Sequence, residues 1–442
     1  MSTNEFEVKG EELFEDYGAK PTVKRYSWIS QGSIWAGVSV CLTAIWTGGL
    51  LALGLGFKGM LIAATIGSII HVIIGTLQAW IGTDTGLSTA FLTRFSFGNI
   101  GSKILSAIMA FSLFGWFAFQ AGLFGLTAQS VLSTWNINTN LEVLIATGGL
   151  LMMTTAILGY KGIDILSKIS VPLLLLLIIE GLRRTFEIVP FSKVVSSGPV
   201  DTPISLAVGI ALVVGNYIVG DTITPDISRY SRSKKDAFIG VLIGFFIVYI
   251  PMLLAGAIFV YAWENWNIIE VMVTTLGMGL IAAIILILSQ WTTNDNNLYS
   301  ATLALSNLYP PIPRWKYGLI TGIIGTILAV FRLYEYYTEF LTLLTSTIPQ
   351  LAGVMITDYY ILKRAKFYSY GNVRKLREIN PSAVLAWLVG VIIAQLFTYD
   401  ILPGKDVIPV SLIGMGITAF LYYALVKIFE SKKPEYCTAL GE

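Results

Sequence analysis

Runs of about twenty apolar residues return along almost the whole chain. At 1.5 Å per helical residue, a run of that length matches the ~30 Å hydrocarbon core of a bilayer. About twelve spans are expected, near residues 29–54, 59–82, 103–131, 141–160, 163–182, 202–222, 236–262, 268–292, 317–333, 338–361, 382–398 and 408–429. Backbone polar groups in lipid have to be paired within the chain, so the fold expected is an all-α integral membrane protein. Only 13% of the 442 residues are charged, with a mean hydropathy of +0.72; a soluble domain carries roughly 25%.

The segment 1–26 alternates acids and bases (Glu5, Lys9, Glu11, Glu12, Asp16, Lys20) without an apolar core. It reads as a cytosolic tail and not as a signal peptide, with a second tail over 431–442 and one transmembrane domain over 27–430. Of the Lys and Arg residues, 23 fall in the tails and even-numbered connections and 6 in the odd-numbered ones. That asymmetry puts both termini on the cytoplasmic side of the inner membrane. The clusters from Arg229 to Lys235 and from Lys363 to Arg377 are then topology determinants rather than ligand sites. Cys41 lies in the first span and Cys437 in the second tail, a pattern that suggests neither a disulfide nor a metal site.

Two spans look interrupted. The first carries Gly37 and then Thr47, Gly48 and Gly49; the sixth carries Gly215, Asn216, Gly220, Asp221, Thr222, Thr224 and Pro225. Non-helical backbone at membrane depth is tolerated where it lines a cavity, and breaks at matching places in two halves point to a transporter's binding site. Spans one and six are five apart, which suits two inverted repeats of five, about 27–183 and 200–362, with extra helices over 382–429. Glycine in membrane helices also serves close packing, and that reading stays open for span one.

The polar residues near these breaks supply candidates. Ser289, Gln290, Thr292, Thr293, Asn294, Asp295, Asn296 and Asn297 follow the apolar run of span eight. Hydroxyls of Thr292 and Thr293, with carbonyls freed in span one, would suit a hard alkali cation; a helix end entering water is the plain alternative. In span three, Trp116 and Gln120 are four residues apart and share a face. A planar heterocycle could stack on Trp116 while the Gln120 amide reads its edge. Asn216 and Tyr217 offer a second such pair in span six. Asp221 and Asp295 are candidate coupling carboxylates, since an intramembrane acid is a functional hypothesis by default. His71, the only histidine, reads either as a proton relay or as a residue hydrogen-bonded to a neighbouring helix. No P-loop, no G-x-S-x-G and no metal-ligand cluster is present, so the chain is expected not to be an enzyme, to need no cofactor, and to draw on an ion gradient.

On these residues the chain resembles the nucleobase:cation symporter-1 family, most nearly its bacterial cytosine permeases. The matching stretches are Trp46-Thr47-Gly48-Gly49, Arg94-Phe95-Ser96-Phe97-Gly98, Gly115-Trp116-Phe117, Thr224-Pro225-Asp226, Trp291-Thr292-Thr293-Asn294-Asp295-Asn296, and Ile348-Pro349 through Asp358-Tyr359. The resemblance implies a LeuT-like fold of two five-helix inverted repeats plus two C-terminal helices, and alternating access around a midplane site. It implies a base stacked between Trp116 and Tyr217, with Gln120, Asn216, Ser289 and Asn294 reading its edge. It also implies a sodium ion held by the carbonyls of Gly37, Val40 and Ser289 and the hydroxyls of Thr292 and Thr293. Asn216, Tyr217, Asp221 and Ser289 depart from the residues that cytosine permeases tend to have there. The expected function is Na+-coupled uptake of a nucleobase by a monomer that contacts lipid and no nucleic acid. H+-coupled carriage of allantoin, hydantoin or hydroxymethylpyrimidine is the alternative, with a channel or receptor further off.

Overall fold

The computed structural model describes residue 22 and residues 25–156, 159–265, 267–309, 312 and 314–432; most of the expected N-terminal tail and nearly all of the C-terminal one lie outside these. Among the described residues the chain forms no β-strand, only an isolated bridge between Tyr26 and Ser231. The main helices are α1 (Trp28–Ser39), α2 (Leu42–Gly54), α3 (Phe57–Thr85), α4 (Thr89–Phe97), α5 (Gly101–Thr134), α6 (Leu141–Ala156), α7 (Gly159–Ile188) and α8 (Leu206–Thr222). They continue with α9 (Thr224–Ser228), α10 (Lys234–Trp263), α11 (Gly279–Leu308), α12 (Arg314–Val330), α13 (Tyr337–Ile356), α14 (Pro381–Thr398) and α15 (Val410–Lys432).

Seven of these helices are long and apolar enough to cross a bilayer, and α1 with α2, bent by 53°, makes an eighth span. Helices α6, α8 and α12 are shorter but apolar, and α11 is long but polar. Lipid-facing stripes are visible at helical spacing: Ile62, Ile66, Ile69 and Ile73 are exposed along α3, and Ile165, Ile169, Leu176 and Ile179 along α7. In a protein read as membrane-embedded, such stripes meet acyl chains, so they carry no penalty for exposure.

Local sequence accounts for where helices stop. Gly86 closes α3 in the left-handed region (φ 72°), its N–H donating to the Gly82 carbonyl. Ser205 and Ser233 cap α8 and α10, accepting from the backbone N–H of Val208 (3.2 Å) and Asp236 (3.1 Å). One π turn over Ile243–Val248 lies inside α10 and another extends α13 over Thr357–Ile361.

The packing respects a five-helix repeat. Helix α2 of span one lies along α10 of span seven, and α8 of span six lies along α3 of span two, which is the same pairing with the halves exchanged. Helices α5 and α11, spans three and eight, pack on each other between them.

Three expectations need correcting. Span one does break, but at Val40 and Cys41, between the glycines that suggested it. Gly48 serves packing instead: a Cβ there would overlap the Leu253 carbonyl oxygen, as one on Gly256 would overlap that of Ile45. Span six is helical straight through Gly215 to Thr222 and changes direction only at Ile223 (φ −87°, ψ 7°). Span eight, expected over 268–292, is α11 over Gly279–Leu308, so the polar run Ser289–Asn297 is buried mid-helix and not at a wet helix end.

Candidate functional site

The break between α1 and α2 organises the site. Ordinary helical bonding lapses there, and Gly37 O accepts from the Thr292 hydroxyl of α11 at 3.3 Å. The Thr43 carbonyl takes bonds from Thr47 Oγ1 (2.9 Å), Tyr337 Oη (3.2 Å) and Asn216 Nδ2 (3.4 Å).

Just past the break is a cavity of about 30 Å³, lined by Val38, Cys41, Thr43, Trp116, Gln120, Asn216, Tyr217, Val219, Gly220, Ile223, Thr293, Asn296 and Asn297. Four of the six expected base-contacting residues meet there: Trp116, Gln120, Asn216 and Tyr217. The Trp116 indole is set by Phe340 (5.5 Å, 77°), Phe119 (6.0 Å, 54°) and Tyr337 (6.3 Å, 77°), none of them parallel to it. Tyr217 is pinned by its hydroxyl, which accepts from Ser39 Oγ (3.0 Å) and donates to Trp35 O (3.3 Å). Its ring packs on Phe245 and Tyr249.

Gln120 is fully buried; its Nε2 donates to Thr43 Oγ1 at 3.5 Å, and its Oε1 has no partner among the described residues. A buried amide oxygen left unpaired is costly, which suits a ligand's N–H at that point. Asn216 spends its amide on Thr47 Oγ1 (3.0 Å) and Tyr337 Oη (3.2 Å).

Ser289 and Asn294 do not line the cavity. Ser289 Oγ donates back to Leu286 O, and Asn294 Nδ2 donates to Phe117 O at 3.2 Å, towards α5. In their place, further along the same helix, come Asn296 and Asn297; Asn296 Oδ1 is buried and unpartnered among the described residues. Both belong to the polar run, and only the register of α11 shows which members face inward. Tyr337 was also missed. It stacks on Trp46 (5.5 Å, 17°) and bridges Thr47 and Asn216, yet at a span end an aromatic reads as an interfacial residue.

Four of the five ion-site candidates, Gly37, Ser289, Thr292 and Thr293, are joined by hydrogen bonds, and Val40 lies at the break three residues after Gly37. Thr292 and Thr293 Oγ1 donate to the Ser289 carbonyl at 2.8 and 3.0 Å, and Thr292 reaches Gly37 O. Hydroxyl and carbonyl oxygens converge here, with no cluster of three His, Cys, Asp or Glu among the described residues. That donor set fits a hard monovalent cation. Thr293 lines the cavity as well. Neither coupling candidate lines it: Asp295 Oδ1 accepts from Thr155 (2.7 Å) on α6, and Asp221 pairs with His71 (2.7 Å).

A second cavity of about 900 Å³ opens at one end of the bundle, over Leu42, Trp46, Leu50, Arg332, Tyr334 and Tyr337. Tyr337, in its lining, is hydrogen-bonded to Asn216 of the smaller cavity (3.2 Å) and stacks on Trp46. Towards the opposite end, Asp226 accepts from the Thr89 N–H (2.7 Å), the buried Arg229 donates to Tyr299 and Tyr230 (2.7 and 2.8 Å), and Arg25 donates to Arg229 O.

The family model described as permease for cytosine/purines, uracil, thiamine, allantoin matches residues 22–417. The cytosine permease of Escherichia coli K12 is 30% identical over 411 residues, covering 91% of this chain and 92% of that one. The hydantoin permease of Microbacterium maritypicum is 24% identical, with 93% and 90% covered. Among solved structures, Mhp1, a nucleobase-cation-symport-1 family transporter in a closed conformation with bromovinylhydantoin bound, superposes with a TM-score of 0.79. It is 19% identical, covering 94% of this chain and 95% of that one, and shows that the fold is shared. The chain therefore belongs to the nucleobase:cation symporter-1 family of permeases, and is a multi-pass membrane transporter and not an enzyme.

Proposed function

We propose that this protein takes up a nucleobase, cytosine or a related purine or pyrimidine, by symport with Na+. The observation that carries the reading is the smaller cavity. It brings two aromatic rings, Trp116 and Tyr217, together with amides whose oxygens on Gln120 and Asn296 lack donors among the described residues. Flat faces and an N–H-bearing edge are what a nucleobase offers to such groups.

In this reading the base enters from the large cavity, passes Trp46 and Tyr337, and is held while the bundle closes. The cavity of about 30 Å³ is smaller than a base, so Trp116 and Tyr217 have to part to admit one. The cation joins Gly37, Val40 and Ser289 carbonyls to the Thr292 and Thr293 hydroxyls and so fixes α1 against α11. Both termini sit in the cytoplasm, which makes the large cavity outward-facing, and the monomer in the inner membrane is the working unit.

Accumulation of radiolabelled cytosine by proteoliposomes tests this. Uptake should follow an imposed Na+ gradient and vanish when K+ replaces Na+. Equal uptake on a proton gradient alone would sink the sodium assignment. The similarity to a hydantoin permease favours a second reading, a carrier of hydantoin- or allantoin-like rings, which competition against the cytosine signal would reveal.

A further inference from the structure

The single histidine, His71, and Asp221 are both wholly buried, on α3 and α8. His71 Nδ1 lies 2.7 Å from Asp221 Oδ2, and His71 Nε2 lies 3.1 Å from the Val213 carbonyl oxygen. A carbonyl only accepts, so Nε2 carries a hydrogen. That leaves Nδ1 and Oδ2 facing each other at hydrogen-bond distance, where two lone pairs would repel. One further proton has to lie between them. With it the pair is neutral, whether written as imidazolium with carboxylate or as imidazole with carboxylic acid; without it the pair carries −1.

Among the described residues Asp221 has no cationic partner besides His71 to compensate that charge. Asp221 Oδ1 has no donor among the described residues. Among the described residues the titratable groups facing the pair are Tyr217 on α8 and Tyr249 on α10, with Cys41 and Tyr337 behind those two rings, all neutral when protonated. An uncompensated anion at membrane depth is expensive. Position matters too: the His71 ring is 5.6 Å from that of Tyr217, which lines the small cavity, and Gly220, also lining it, precedes Asp221.

We propose that His71 and Asp221 form a proton-binding site directly behind the substrate cavity. It holds one proton in the binding-competent state, and loss of that proton to water frees α8 from α3 and slackens the wall that carries Tyr217. The ligand is a proton and no other bond is made or broken. The link from the proton to substrate affinity rests on the nucleobase reading above; the proton site itself does not.

Because the chain has one histidine, histidine-selective 15N labelling of the full protein, purified without a polyhistidine tag, reports on this ring alone. The expected spectrum shows Nε2–H together with a hydrogen-bonded proton shared by Nδ1. As pH rises and that proton leaves, the Nδ1 signal and the ligand-free Tm should change together. Asp221→Asn, whose amide donates to Nδ1 permanently, should show an unprotonated Nδ1 and a flat Tm over the same range. In wild type the Kd for cytosine should rise at least tenfold across the transition, and in Asp221→Asn it should not.

A ring whose Nδ1 shares no proton at any pH, or an Asp221→Asn protein that keeps the wild-type pH profile of Tm, overturns the proposal. The wild-type spectrum decides the matter by itself if the variant does not fold. Cytosine failing to bind at every pH, with the spectrum and Tm profile as expected, would overturn the nucleobase reading while upholding the proton site.

Discussion

Replacing Trp116 with alanine separates a stacking platform from a packing residue. The indole is 6% exposed, and its ring neighbours meet it at 54° to 77°, so no ring among the described residues occupies a parallel position on it. A base taking that position would gain about 1–3 kcal/mol, as stacking on aromatic side chains does in single-stranded nucleic-acid binding. Removing it should therefore raise the Kd for cytosine roughly 5- to 150-fold. The same truncation empties a buried site and costs about 3–5 kcal/mol of stability, so binding has to be read on protein that is still folded. Trp116→Phe supplies the control: it keeps a flat ring, and most of the affinity should return with it. Isothermal titration on detergent-solubilised protein, with Tm taken on the same samples, measures both. A folded Trp116→Ala protein with wild-type Kd would refute the stacking role outright.

Thr292→Val keeps the shape of the side chain but removes one oxygen from the proposed cation site. If contacts to a charged partner are worth about 1.5–3 kcal/mol, half-saturating Na+ in uptake should rise about tenfold or more, and an unchanged value would exclude the residue as a ligand. Asn296→Ala should weaken base binding about fivefold or more with little change in Tm. Asn294→Ala, which loses its bond to Phe117 O, should show the reverse, and isothermal titration beside Tm distinguishes the two. Gly48→Leu drives a side chain into the Leu253 carbonyl. Overpacking of this kind costs about 1–3 kcal/mol or more, so Tm should fall even though the new residue is apolar.

The helices were largely legible because lipid leaves the chain few choices: an apolar run of twenty residues has to become a helix with its backbone paired. The same logic misplaced α11. Hydropathy measures what a side chain gains from lipid, whereas the polar side chains from Ser289 to Asn297 are buried and bond to α1, α5 and α6. Gly215 looked like a helix break but is a contact, since a Cβ there would overlap Thr345 of α13. A glycine kept for a neighbour's approach and one kept for backbone freedom are identical in sequence. Within the site, Trp116 and Gln120 could be paired from spacing alone because both lie on one helix. The pairing of His71 with Asp221, 150 positions apart, and that of Tyr337 with Thr47 and Asn216, could not, because each depends on how separate helices pack.

One consequence of the α1–α2 break can be checked without any substitution. Gly37, on one side of it, reaches Thr292; Thr43, on the other, meets Gln120, Asn216 and Tyr337. If a cation draws Gly37 and Val40 onto α11, the seven residues from Gly37 to Thr43 transmit that restraint to the cavity wall. Thr293 belongs to both the wall and the proposed cation set. Binding free energies are reciprocal: whatever factor Na+ adds to the affinity for the base, the base has to add to the affinity for Na+, and couplings of this kind usually amount to about 5- to 150-fold. Cytosine titrations at saturating Na+ and with Na+ replaced by K+ give one factor. Na+ titrations with and without cytosine give the other. Two equal factors above about five support a shared equilibrium through the break. A factor of one in both would mean that the two sites do not communicate through Gly37 to Thr43, however close together the structure places them.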